Sequence, residues 1–324
     1  MISSRHTTKI RPDEIIFRAG TGVFAVLIIG VVAAIAFELY RQSKLSIYHF
    51  GWQFWQTDSW DPVAGEFGAR PFIWGTLYSS ILALIISTPI ALGIAIFISE
   101  LAPGRLRLPL VFLTELLAAI PSIVYGVWGI FVLVPFVRQL EVNTPEWLKV
   151  LPVFKGPPLG VGMLSAAIVL SIMVIPFTSS IAREVLKAVP QAQREAAYAL
   201  GATRWEAIRM ALFYARTGII GAVMLGLGRA LGETMAVTMV IGNTPQIAAS
   251  LYAPQYTMAA VIANEFSEAA QELYLHALVE IGLVLFIITL VINMMSRGLI
   301  WSLGRQKNPR RARRILSTPA PESA

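Results

Sequence analysis

The 324-residue chain has no cysteine and only three histidines. The first absence excludes disulfides and thiolate chemistry and leaves the redox compartment open. His6, His49 and His276 are scattered without metal-ligand spacing, so no metal site is expected. Charge is scarce too: Asp, Glu, Lys and Arg make up 14% of the chain, against roughly 25% in soluble domains. No lysine follows a glycine, so the Gly-Lys-Ser/Thr phosphate loop is missing and any ATP hydrolysis has to reside on another polypeptide. No nucleophile–base or metal constellation stands out. These absences argue against a soluble fold and against an enzyme, and no bound cofactor or nucleic-acid partner is expected.

What is present is apolar: 56% of residues are hydrophobic and the mean hydropathy is +0.66. Apolar runs occupy residues 19–37, 72–98, 108–137, 159–181, 218–241 and 273–295. About 20 residues at 1.5 Å rise suffice to cross a bilayer, so the chain reads as an all-α polytopic membrane protein with six transmembrane helices. The first run exceeds the apolar core of a signal peptide and no cleavage site follows it, which makes it a retained span. The third is expected to kink at Pro121 and the fourth at Pro176. In the second, Thr76, Ser79, Ser80, Ser87 and Thr88 either bond back to the helix or line a polar interface.

Residues 1–18 form a polar, basic leader to the first span. Residues 19–71 hold that span and an external loop whose Trp52, Trp55 and Trp60 suit a membrane interface or pack within the loop. The core extends over 72–298, and 299–324 is a basic tail with a Pro/Ser-rich, disordered-type end. Residues 244–272 contain no Lys or Arg and are apolar enough in part to dip into the membrane. Of the 26 Lys and Arg, 19 fall in the termini and in alternate loops, six fall in the remaining loops, and Arg229 lies within a span. By the positive-inside rule the first set, and with it both termini, is cytoplasmic.

The most informative interval is 183–216, a polar stretch between two spans. Pro190 fits a helix start, and Gln191 to Ala199 are good helix formers. Gly201 is suited to the left-handed turn that ends a helix. Thr203-Arg204-Trp205-Glu206 has the form of a capping box, which restarts a helix toward Tyr214. Short helix, tight turn and second helix are therefore expected, either as a solvated connection or as a docking element.

Charged residues inside the spans lean functional. Arg229 and Glu233 fall four apart in the fifth span, so they are expected on one helical face and able to pair, with Gly228 and Gly232 letting another helix approach. The alternative is a buried ion pair that fixes packing. His276 and Glu280 are similarly spaced in the sixth span, and Glu115 stands early in the third, near an interface.

Glu195-Ala196-Ala197, followed after three residues by Gly201, resembles the EAA loop of ABC importer permeases, whose short helix sits in a cleft of the cytoplasmic ATPase. The stretches Ile120-Pro121-Ser122-Ile123-Val124-Tyr125-Gly126-Val127-Trp128-Gly129, Gly228-Arg229-Ala230-Leu231-Gly232-Glu233-Thr234-Met235-Ala236-Val237 and Ala263-Asn264-Glu265-Phe266 resemble the PstC-type permeases of phosphate-specific ABC importers. The likeness covers residues 72–295. It implies a type I ABC importer permease of MetI-like fold in a bacterial inner membrane. It further implies a homologous PstA-type permease, two PstB-type ATPase subunits carrying ATP and Mg, and a periplasmic PstS-type phosphate-binding protein as partners. In that family an arginine and a glutamate of the second stretch are implicated in phosphate passage; by position these are Arg229 and Glu233. The expected function is half of an ATP-driven phosphate pathway, the alternative being another oxyanion such as sulfate or molybdate.

Overall fold

The computed structural model describes residues 12–304, so the basic segments before and after them lie outside the described residues. The helices run in the order α1 (Pro12–Phe50), α2 (Arg70–Ile96), α3 (Gly104–Ala119), α4 (Ser122–Trp128), α5 (Val134–Val142) and α6 (Glu146–Lys149). They continue with α7 (Met163–Lys187), α8 (Gln191–Ala199), α9 (Arg204–Leu231), α10 (Met235–Thr238), α11 (Met258–Glu265) and α12 (Glu272–Gly304). A small hairpin of β1 (Trp60–Asp61) and β2 (Glu66–Phe67) follows α1. Six stretches are long and apolar enough to cross a membrane: Phe17–Trp55, Arg70–Leu101, Ser122–Val142, Met163–Lys187, Arg204–Leu231 and Glu272–Ser302.

Three of these differ from expectation. The first helix runs on past the apolar run 19–37 to Phe50, so part of the stretch read as external loop is helical. Pro121 does not kink a continuous third span but ends one helix and starts another: Ile120 is extended (φ −66°, ψ 127°), as the residue before a proline prefers. The break leaves α3 as a separate helix with no buried residue, and the third span begins only at Ser122. Tyr125 bridges the break by donating its hydroxyl to the Leu117 carbonyl (2.8 Å). The fifth span starts earlier and stops earlier than 218–241. The helix that begins at the Thr203 cap runs on through Gly218 without interruption to Leu231, because no proline intervenes.

The fourth span, α7, is the axis of the bundle. Of its most apolar stretch 61% is buried, against 28% for α2, α9 and α12 and none for α1. Lipid tails are as apolar as leucine, so spans associate through close van der Waals packing, and small residues permit it. Helix α2 buries Gly75, Thr76, Ser79, Ser80, Ala83, Ser87, Ala91 and Ala95. Helix α9 buries Ala207, Ala211, Ala215, Ala222, Gly226 and Ala230, which recur at helical spacing along one face. A side chain at Gly226 would meet Thr178 and Val174, and one at Gly218 would meet Val185, all on α7. The tightest contacts of α9 therefore run through Gly218 and Gly226. At Gly228 the nearest neighbour of a Cβ is Asn293 Oδ1 at 3.9 Å, so the Gly228/Gly232 pair is not where helices meet most closely.

Residues 244–257 form an irregular segment packed on the chain's own spans. Trp74 Nε1 donates to the Ala248 carbonyl (3.1 Å) and the Tyr78 hydroxyl to the Ala249 carbonyl (2.8 Å). The backbone N–H groups of Met163 and Leu164 donate to Ala253 and Leu251. Thr76 Oγ1 accepts from the Met258 N–H (2.9 Å), and Gln255 is fully buried. Non-helical backbone persists beside spans only where protein or water satisfies its polar groups, and here protein does so.

This packing has a direct consequence at Gly75, where any Cβ would overlap the Tyr256 carbonyl, whereas a Cβ at Gly93 in the same helix meets nothing within 4 Å. Gly75→Ala should lower the thermal midpoint of the purified protein despite the roughly 1 kcal/mol helix-propensity gain of alanine. Gly93→Ala should hold or raise it; equal behaviour of the two would contradict the close seating of the 244–257 segment on α2.

Candidate functional site

At one end of the bundle, α8 bridges the end of α7 and the start of α9. Pro190 stands at its N-cap, where no helical N–H is required. The helix ends as expected at Gly201, whose φ of +81° is the left-handed conformation, with its N–H on the Tyr198 carbonyl (2.9 Å). The capping box forms: the Thr203 N–H donates to Glu206 Oε2 (2.7 Å) while Thr203 Oγ1 accepts from the Glu206 N–H (3.4 Å). Of the EAA-like residues, only Ala197 is buried, where α8 packs on α9. Glu195, Ala196 and Gly201 face outward, and Tyr198 and Leu200 are 50% and 90% exposed. The outward face of α8 is thus part charged and part apolar.

The stretches 120–129 and 228–237 come together in mid-bundle. Helix α4 packs against α10: a side chain at Gly126 would meet Ala236 and Met239, and one at Gly129 would meet Val240 and Val169. Arg229 lies in the last turn of α9, with its guanidinium carbon 5.8 Å from the centre of the Phe177 ring on α7. The expected Arg229–Glu233 pairing on one helical face is not found. Helix α9 stops at Leu231, because Gly232 (φ −96°, ψ 2°) leaves the helix, and Glu233 falls beyond the break. Its carboxylate instead accepts from the Ala236 N–H (3.4 Å) at the start of α10. Among the described residues no carboxylate forms an ion pair with Arg229. Arg229 is exposed on the single chain. Charged groups in spans face protein or a water-filled cavity rather than hydrocarbon.

The stretch 263–266 lies elsewhere, near the opposite end from α8. Glu265 accepts from Trp60 Nε1 (2.8 Å) and the Tyr274 hydroxyl (2.6 Å), and Asn264 donates to the Tyr256 hydroxyl (3.0 Å). Trp60 is therefore a packing residue, while Trp52 stacks on Trp55 at 6.0 Å and stays exposed. His276 and Glu280 do not pair with each other. His276 Nδ1 meets the Gln42 carbonyl and its Nε2 lies 3.8 Å from Glu272, while Glu280 is buried beside Ser46 on α1. Glu115 forms an ion pair with Arg183 of α7 at 3.4 Å. Sequence reasoning missed Glu100 and Glu141, each drawn inward by a partner distant along the chain: Glu100 by Arg194, Glu141 by the Gly160 N–H. The described residues contain no group of three or more His, Asp or Glu able to hold a metal.

Six membrane-length helices with a short helix, α8, across one end define a multi-pass membrane protein. The chain belongs to the family of inner membrane components of binding-protein-dependent transport systems, whose model matches residues 87–303. It is 45% identical over 306 residues to the phosphate transport system permease protein PstC of Mesorhizobium japonicum, covering 92% of this chain and 94% of the relative. It is 46% identical to the PstC of Pasteurella multocida, over 91% of this chain and 93% of the relative. The probable PstC of Methanocaldococcus jannaschii is 38% identical over 84% and 89%. The fold is also similar to that of a chain in inward-facing structures of the MetNI methionine ABC transporter. The TM-score is 0.53 at 19% identity, covering 71% of this chain and 94% of that one.

The turn after α8 supplies a test that separates backbone strain from crowding, since nothing lies within 4 Å of a Cβ at position 201. Gly201→Val should destabilise the turn by about 1–2 kcal/mol through the left-handed conformation alone. Asparagine tolerates that conformation, so Gly201→Asn should recover most of the loss. Amide exchange over 191–203 measures both, and equal protection in the two variants would refute the strain argument.

Proposed function

We propose that this chain is the permease subunit of an ATP-driven importer of inorganic phosphate in a bacterial inner membrane. It forms one half of the translocation pathway. The observation that carries this reading is identity of 45–46% over about nine-tenths of the chain to permeases named for phosphate transport. A second, PstA-type permease completes the pathway, two PstB-type subunits bind ATP and Mg, and a PstS-type binding protein delivers phosphate from outside. The chain itself holds no ATPase site and no cofactor. Both termini lie in the cytoplasm, which puts α8, with Glu195, Ala196, Ala197 and Gly201, on the side of the ATPase.

Phosphate near neutral pH carries between one and two negative charges, and an unpaired ion in a medium of low dielectric costs on the order of tens of kcal/mol. A guanidinium meets such an anion with forked, charge-assisted hydrogen bonds. Arg229 is suited to that role: it is exposed toward the assembly interior and no carboxylate among the described residues holds it. Glu233, released from α9 by the break at Gly232, stands on the adjoining turn as a negative charge that limits how long the anion is held. ATP binding by the partner subunits moves α8, and the spans attached to it switch access from outside to inside.

In vesicles containing the full complex, Arg229→Gln should abolish phosphate uptake with assembly intact by co-purification. Arg229→Lys should rescue only part, since a point charge lacks the fork. Glu233→Gln keeps an acceptor for the Ala236 N–H, so the slower uptake expected of it reads the charge alone. Near-normal uptake by Arg229→Gln would remove this residue from the pathway.

A further inference from the structure

The helix that meets the ATPase has to transmit its displacement to the spans, and its own packing offers little grip. Helix α8 has nine residues and buries only Ala197. A cavity of about 540 Å³ opens along its flank, lined by Glu100 and Arg194 together with Arg107, Lys187, Glu195 and Tyr198, so this side of α8 is not packed solid against α2 and α7.

One side chain crosses that gap in three directions. Arg194 Nη2 donates to Glu100 Oε1 (2.7 Å) and to the Leu186 carbonyl (2.9 Å), and its Nη1 donates to the Val189 carbonyl (2.8 Å). The last two contacts lie at the end of α7, where the Leu186 carbonyl also accepts from the Val189 N–H (3.2 Å). The first reaches the end of α2. Arg204, at the start of α9, donates to the Glu100 backbone carbonyl (2.8 Å), so the same residue also receives the next helix. The Glu100 and Arg194 side chains are 13% and 22% exposed, which keeps the pair from the full screening of a surface ion pair.

Local backbone geometry aims Glu100 at this point. Residues Phe97–Leu101 form a π turn closed by the Ala102 N–H on the Phe97 carbonyl (2.7 Å). Glu100 sits within this turn, and the chain leaves the helix at Ala102 (φ −64°, ψ 131°).

We propose that the Glu100–Arg194 pair is the link that makes α8 move together with the ends of α2 and α7, and that Glu100 is a positioning residue for energy coupling. Leu186 lies nine residues from Phe177 on the same helix, roughly 14 Å along its axis, and Phe177 is the ring beside Arg229. A displacement of α8 held by Arg194 therefore reaches the charged site along α7, while Glu100 holds Arg194 in place and ties it to the end of α2. Without the pair, α8 follows the ATPase while the spans lag. The inference rests on the reading of α8 as the ATPase docking helix.

The test uses the complete complex in vesicles, with Glu100→Gln, Arg194→Gln and the double variant. Two quantities are measured: phosphate taken up per ATP hydrolysed, and the stimulation of ATP hydrolysis by phosphate-loaded binding protein. Each single variant should assemble and hydrolyse ATP, yet lower the uptake ratio by about tenfold, within the roughly 5–150-fold range of ordinary couplings. The double variant should be no worse than Arg194→Gln, the non-additivity expected of groups acting as one unit. Glu100→Asp should recover part of the ratio. An unchanged ratio in assembled Glu100→Gln would overturn the proposal, as would uptake and hydrolysis falling together at constant ratio, the mark of a structural role. If the wild-type complex takes up no phosphate, the functional reading fails and the link is judged on ATPase stimulation alone. Stimulation lost in Glu100→Gln then sustains it, and stimulation retained overturns it.

Discussion

Close approach of α7 to its neighbours is the constraint on which the other features depend. Where no hydrophobic driving force separates one span from lipid, helices stay together only if their backbones come near enough for dense packing. The chain meets this with runs of glycine, alanine and serine on α2 and α9 turned toward α7. Several of the hydroxyls on these faces return to their own helices, as Thr76 does to the Phe72 carbonyl and Ser79 to the Thr76 carbonyl. Small side chains can therefore be polar here without leaving those donors orphaned.

With α7 fixed between α2 and α9, the two ends of the bundle acquire different characters. At one end the termini of α2, α7 and α9 converge, and Glu100, Arg194 and Arg204 tie them to α8. At the other, the irregular 244–257 segment and α11 are seated on α2 and α12, held by Trp74, Tyr78, Trp60 and Glu265. Between them, the break after Leu231 lets α10 turn back against α4 and leaves Arg229 at the helix end. This long helix thus carries a charge in its final turn with no carboxylate among the described residues holding it, the feature on which the proposed anion role of Arg229 rests.

Local signals are legible in the sequence and long-range ones are not. The left-handed Gly201 and the Thr203–Glu206 cap are each determined by four or five adjacent residues, and both form as expected. Pro121 is legible as a disruption, but whether a proline kinks or breaks a helix depends on what satisfies the freed groups, here Tyr125 reaching back to Leu117. The spacing of Gly232 from Gly228 fits a packed helix pair. Its other property, ending a helix, wins because the α10 turn beyond it is buried at Ala236 and Val237 against α4. The partners of Arg194 lie up to 94 residues away, so no pattern within its own loop announces them. The small-residue stripe on α9 is visible in principle as a helical repeat, but it starts at Ala207, well before the apolar run that marks the span.

The central claim is that the face of α9 bearing Arg229 lines a water-accessible phosphate pathway rather than lipid. The absence of native cysteine in this chain allows a direct measurement. Leu225 is exposed and lies one turn from Arg229 on the same face. In the assembled complex, a single Leu225→Cys should react with an anionic, membrane-impermeant thiol reagent during ATP turnover, with labelling followed on this chain. Phosphate should slow that reaction, and sulfate or molybdate should not. Reaction only with a lipophilic reagent, indifferent to phosphate, would place this face in the bilayer and contradict the account.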